Sequence, residues 1–178
     1  TWTWAGWVKR AKPETGLRDL LFSTPTGSSD STLFNLIFLD DKIYVAGSTT
    51  GWRLTSAVYR DPSAWFHLVL AVDTTQATAN NRIRLYVNGS EITAFSTLNN
   101  PTQNADLGVN NTIGHTIGNY GATYLNGYLA DIHFIDGQAL DPTSFGEFDD
   151  NNVWQPIEYT GTYGTNGFHL PFSDNSTA

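Results

Sequence analysis

The chain has 178 residues, a size that suits one domain whose core needs no covalent staples. Its 9 lysines and arginines against 17 aspartates and glutamates give a net charge of −8, which leaves no basic surface for phosphates and argues against nucleic acid as a partner. Cysteine is absent, which removes disulfides and thiolate chemistry, and no apolar run reaches the ~20 residues of a bilayer span, so no membrane insertion is expected.

Charged residues make up 15%, against roughly 25% in an average soluble protein, while Thr, Asn, Gly and aromatics are plentiful; that mixture favours strands and turns. The chain opens on TWTWAGWVKR, where Trp2, Trp4 and Trp7 give a period-two texture suited to a strand covered on part of both faces. With no methionine anywhere, the expectation is an interior piece of a longer polypeptide whose first strand is an edge that has lost its neighbours. Next, LFNLIFLDDKIYVAG places Phe34, Leu36 and Phe38 on one side, turns at Asp40 and Asp41, and returns through Ile43 and Val45. WFHLVLAVD and RIRLYVNGSEI pair most clearly, with Leu68, Leu70 and Val72 alternating against Ile83, Leu85 and Val87, and Asn88-Gly89 supplying a tight turn.

Trp65 and Phe66 are read as packing residues. GYLADIHFIDGQAL is a strand with Tyr128, Ala130, Ile132 and Phe134 on one face and Leu129, Asp131, His133 and Ile135 on the other. DPTSFGE carries one helical turn, N-capped by Asp141, begun by Pro142 and stopped at Gly146. The tail has a glycine-punctuated loop and a last strand through Phe168, Leu170 and Phe172, with Pro171 suiting an edge or strand end. Many short strands and one vestigial helix predict an all-β, antiparallel two-sheet jelly-roll sandwich spanning residues 1–178 as a single domain.

TWTWAGWVKR, then WFHLVLAVDTT with RIRLYVNGSEI, then LNGYLADIHFIDGQAL follow in an order that resembles the laminin G-like branch of the concanavalin A-like lectin/glucanase superfamily. The tail SFGEFDDNNVWQPIEYTGTYGTNGFHLPFSDNS is similar to structural proteins of tailed bacteriophages, notably marine ones. The resemblance implies a jelly roll that binds sugars, calcium or protein surfaces, located on a virion and made in the host cytoplasm. It also implies a strand before residue 1 and more chain after the FSDNS stretch, which agrees with an interior domain.

Glucanases of that superfamily set their carboxylates at alternate positions of one strand. Here Glu147 and Asp149 approach the pattern, but Asn151 and Asn152 stand where a second glutamate belongs, so no enzyme is expected. His67, His115, His133 and His169 are scattered without metal spacing or a nucleophile motif. Calcium is the cofactor to expect, with oxygen ligands from Asp131, Asp136 and Asp73, since a hard cation collects carboxylates and carbonyls from sandwich loops. Carbohydrate binding would stack sugar rings on aromatics and fix hydroxyls with amides. The aromatic candidates are Tyr120, Tyr124, Trp52, Trp154, Tyr159 and Tyr163, helped by Asn119 and Asn110, with HTIGNYGATYLNG as the favoured loop. Asn88, Asn110 and Asn175 begin N-x-Ser/Thr triplets and mark surface turns.

The leading expectation is therefore a non-catalytic adhesion domain of a phage structural protein that touches host-surface glycans. The alternatives are an architectural domain that contacts other virion proteins through its exposed N-terminal edge, with self-association into a homo-oligomer as an option, and, last, a depolymerising glycanase.

Overall fold

The computed structural model describes residues 1–12, 18–24, 32–120 and 123–172; for 18–20 and Tyr120 it describes the backbone only. In chain order the strands are β1 (Trp2–Arg10), β2 (Arg18–Ser23), β3 (Asn35–Leu39), β4 (Lys42–Ala46), β5 (Gly51–Thr55), β6 (Phe66–Val72), β7 (Ile83–Val87) and β8 (Ser90–Glu91). They continue with β9 (Phe95–Leu98), β10 (Thr116–Ile117), β11 (Asn119–Tyr120), β12 (Thr123–Tyr124), β13 (Gly127–Asp136), β14 (Gly146–Phe148), β15 (Trp154–Pro156) and β16 (Phe168–Leu170). Among the described residues these form two six-stranded antiparallel sheets, β16-β13-β1-β6-β7-β8 and β10-β2-β3-β4-β5-β9, with small ribbons β11-β12 and β14-β15. No helix of the described residues is long and apolar enough to cross a membrane.

The alternation read from the sequence is what closes the two sheets. Phe34, Leu36, Phe38, Ile43 and Val45 from one sheet meet Leu68, Leu70, Val72, Ile83 and Leu85 from the other in a single buried cluster that also holds Trp2 and Trp4. Burying such a side chain contributes about 1.5–3 kcal/mol, so this interior is the main source of stability. The turns follow their residues too. Asp40 and Asp41 take φ of 51° and 63°, and Asn88 and Gly89 take 47° and 78°, the left-handed values a two-residue hairpin turn needs. Asp141 accepts a hydrogen bond from the Thr143 amide and caps the 3₁₀ turn Pro142–Ser144.

One expectation is reversed. β1 is not an open edge: it pairs with β13 along one side and with β6 along the other, in the interior of its sheet. Its double-sided burial comes from that position, with Trp2 and Trp4 facing the sandwich and Ala5 facing outward into a second core.

That second core lies on the outer face of the first sheet. Ala5, Val69, Ala71, Tyr86 and Ile135 are covered there by Phe145, with Leu140, Tyr159 and Tyr163 packed against them. The chain after the 3₁₀ turn thus folds back across the sheet. Trp154 seals it, stacked on His67 and donating from Nε1 to His67 Nδ1 at 3.2 Å. The loop read in EFDDNN is the turn of this cover: Asp149 accepts from the Asn151 and Val153 amides, and Glu147 points to solvent.

Candidate functional site

The site begins at a break in the alternation of β13. Ala5 faces His133 and Trp7 faces Ala130, so Asp131 and Ile132 together oppose the single Gly6. Asp131 absorbs the extra residue with φ of 51°, a left-handed conformation that Asp tolerates better than most side chains. A bulge of this kind re-aims the side chains beyond it. Leu129 packs on the sandwich core before it, and Ile132 and Phe134 do so after it. The face assigned to Tyr128 from strict alternation is accordingly wrong: Tyr128 stands outward, 60% exposed, beside Trp65, which is 41% exposed and not the packing residue expected.

The same bulge leaves Asp131 and His133 together, with His133 Nε2 3.4 Å from Asp131 Oδ2. β16 then places His169 directly across from His133, and directly opposed residues of an antiparallel pair share a face. Their imidazoles stack at 4.2 Å and 8°, and His169 Nε2 donates to Asp131 Oδ1 at 2.6 Å. Tyr163 lies parallel to His133, 12° apart, with its hydroxyl 2.9 Å from His133 Nδ1. Tyr159 meets Tyr163 edge-on and donates from its hydroxyl to the Thr162 carbonyl. Asp131, His133, His169, Tyr159, Tyr163 and Glu158 line a cleft of about 520 Å³, within the range of small-ligand pockets.

Its electrostatics follow from this packing. The facing His133 ring, ahead of the opposing effect of partial burial and of the bond from His169, lowers the Asp131 carboxyl to about 2, so it is a carboxylate at neutral pH. Burial raises the Tyr163 phenol, with the Asp131 charge adding to it, and burial raises Tyr159 as well. His133 is 3% exposed, and its Nε2 forms no well-aligned hydrogen bond, Asp131 Oδ2 standing 3.4 Å from it.

A family model described as the concanavalin A-like lectin/glucanases superfamily matches residues 1–144. The chain belongs to this superfamily. Among solved structures it is similar in fold to domain 4 of AbnA, a GH43 extracellular arabinanase from Geobacillus stearothermophilus solved with arabinotriose, at 18% identity and TM-score 0.52, covering 80% of this chain and 63% of that one. It is also similar to a heptameric SAP-like pentraxin from Limulus polyphemus, at 16% identity and TM-score 0.50, covering 78% and 64%. A third is a putative carbohydrate binding protein from Bacteroides ovatus ATCC 8483, at 16% and 0.50, covering 75% and 36%. The chain therefore spans less than two thirds of the length of each of these structures. No curated protein matches its sequence significantly. The superfamily match ends within the 3₁₀ turn, so the cleft joins residues of the superfamily body, Asp131 and His133, to residues of the chain beyond it, Tyr159, Tyr163 and His169.

Of the residues singled out in the sequence, the fold brings together Asp131, Tyr159 and Tyr163. It sends the others elsewhere. Trp52 is a correction: 1% exposed, it stacks on Phe34 inside the sandwich because β5 turns it inward. Trp154 is a second: buried, it stacks on His67, donates to that ring and meets Phe148 edge-on. Tyr124 is 66% exposed and pairs with Asn119 in the ribbon beside β2, and neither lines the cleft. The Tyr120 side chain and Asn175 lie outside the described residues.

The three aspartates do not converge: Asp131 groups with His133 and His169, without Asp73 or Asp136. Asp73 accepts from Thr1, Thr75 and Gln76, bonds that outweigh its burial and lower it to about 2. Asp136 accepts from Asn110 and Asn166 and ties two loops around a separate rim depression of about 350 Å³ that includes His115 and Phe168. What sequence reading missed is the pairing of His133 with His169. The alternation of FHL against IHF held the only available signal, a histidine at the centre of each.

The position of His169 and Tyr163 hangs on Gly167. A Cβ there would stand 1.8 Å from the Tyr163 carbonyl oxygen and 2.7 Å from that of Phe134, both backbone atoms. Gly167→Ala is expected to destabilise the fold by about 1–3 kcal/mol, the usual range for overpacking, as read by urea denaturation. It should also shift the histidine NMR signals of the cleft; unchanged signals and stability would contradict this account.

Proposed function

We propose that this domain is a non-catalytic glycan-binding module of a phage structural protein, and that the cleft on the outer face of the first sheet is where it holds its sugar. The observation that carries the reading is the convergence of Tyr159 and Tyr163 with Asp131 and Glu158 around one cleft of ligand size. Aromatic faces suit the apolar faces of pyranoses, and carboxylates orient hydroxyls. The arabinotriose held by domain 4 of the arabinanase and the printed description of the Bacteroides protein support a sugar as ligand class. A binding role rather than catalysis agrees with the carboxylates: Asp131 stays ionised against two imidazoles, while Glu147 and Asp149 sit on the covering ribbon outside the cleft. The likeness of the tail to tailed-phage proteins supports a virion setting, with host-surface polysaccharide and other virion proteins as partners. An architectural role through a free N-terminal edge has lost its basis, since both sides of β1 are paired.

A glycan array followed by titration tests this. Tyr159→Ala and Tyr163→Ala are each expected to weaken the best glycan at least tenfold, equivalent to about 1.4 kcal/mol, with Tyr124→Ala at wild-type affinity. An array without signal, or binding that survives both cleft variants, would overturn the assignment.

A further inference from the structure

We propose that Asp131, His133 and His169 form a binding site for a divalent transition-metal ion of the zinc type. One nitrogen of each imidazole and a carboxylate oxygen lie within 4.8 Å of one another. Among the described residues no other three histidine, aspartate or glutamate side chains converge in this way. Proximity alone is a weak argument. The independent one is His133, a ring 3% exposed whose Nε2 forms no well-aligned hydrogen bond, with Asp131 Oδ2 standing 3.4 Å away. A buried polar atom left in that state normally costs about 1–3 kcal/mol, and a cation at the centre of the three groups supplies the missing partner.

The donor set selects the metal. Two neutral imidazoles with one carboxylate suit zinc, cobalt or nickel, whereas calcium wants six to eight oxygens. The surroundings match what such sites use: the Tyr163 hydroxyl, 2.9 Å from His133 Nδ1, fixes the ring through its far nitrogen. Metal bonds of about 2.0–2.2 Å set tetrahedral ligand atoms about 3.4 Å apart, so the widest pair must close from within 4.8 Å, His169 Nε2 and Asp131 Oδ1, now 2.6 Å apart, must open, and His169 must turn out of its parallel stack on His133 so that both ring planes meet at the ion. His169, 36% exposed on an edge strand, has room to make that move. Three protein ligands leave a fourth position facing the cleft. The site stands whether or not the cleft's ligand is a sugar.

Calorimetric titration of the untagged, chelator-treated protein with zinc chloride is expected to show one equivalent bound, and cobalt to give the visible absorption of a tetrahedral site. His169→Ala and Asp131→Asn should each lose at least tenfold in zinc affinity. Tyr163→Phe should lose about 10–100-fold, the usual effect of removing the group that orients a ligand. His115→Ala, in the rim depression, should bind as wild type, and the titration is run with no glycan present, which separates this test from the glycan one. Absence of stoichiometric zinc binding, or equal affinity in His169→Ala with native circular dichroism retained, would overturn the site. Displacement of zinc by equimolar calcium would overturn the choice of metal class.

Discussion

Asp41→Ala is expected to destabilise the domain by about 3–5 kcal/mol, the range for removing one partner of a buried ion pair. Asp41 sits in the turn between β3 and β4, and Arg10 ends β1, so the pair ties one sheet to the other. Both side chains are 2% exposed, and Arg10 Nη1 donates to Asp41 Oδ1 at 2.6 Å and to the Tyr59 carbonyl at 3.0 Å. The largely exposed Arg60 holds the second carboxylate oxygen at 2.7 Å. Removing Asp41 takes from the buried Arg10 cation, which lies over the Phe38 ring, the carboxylate it holds at 2.6 Å. The cost comes from burying a cation without its carboxylate rather than from the intrinsic strength of the pair, so the double variant Arg10→Met with Asp41→Ala should recover much of it. Urea denaturation of the two single variants and the double variant closes the cycle. An additive result would show that the two side chains do not depend on each other.

The second expected result is a loss of stability on mild acidification, caused by His67. Burial, with the nearby His133 imidazole adding and Asp131 opposing, lowers the His67 pKa from 6.5 to about 4. The neutral ring is fixed structurally as well, because Nδ1 accepts from Trp154 Nε1, and a protonated ring has no lone pair to offer there. The folded state thus binds fewer protons than the unfolded chain between pH 6.5 and about 4. Stability from this group is therefore complete above 6.5 and is lost as pH falls through that window. The span corresponds to about 3 kcal/mol, at 1.36 kcal/mol per pKa unit. Asp131 and Asp73, lowered to about 2, act in the opposite region: their contributions are present above their unfolded value of 3.8 and fade only below it. Denaturation midpoints of wild type and His67→Gln, compared between pH 7 and 4.5 with chelator present, isolate the effect. The slope should flatten in the variant, and parallel slopes would refute the assignment.

His67 also shows why the fold was easier to read than the site. In WFHLVLAVD the alternation of Leu68, Leu70 and Val72 announces a strand and its inner face, and the structure places all three in the sandwich core. The odd residues, His67, Val69 and Ala71, are too apolar for a solvent face. That is the trace of a second core, but it says nothing about which later segment covers it. The cover comes from Phe145 and Trp154, residues whose local sequence looks like a polar loop. Trp52 and Trp154 were drawn toward a ligand role for the same reason, since an aromatic beside glycines and polar residues looks like a rim until its neighbours in space are known.

Sequence alone determined the sandwich, because a period of two along a strand sorts side chains onto two faces with no reference to distant residues. It also determined the hairpin turns at Asp40-Asp41 and Asn88-Gly89 and the cap at Asp141, all of which depend on local backbone chemistry. Only the tertiary structure decided that β1 is interior, that Asp131 takes up a bulge, and that His169 stacks on His133. Each of these depends on strand pairing between segments remote in the chain, and no local periodicity encodes which partner a strand will find.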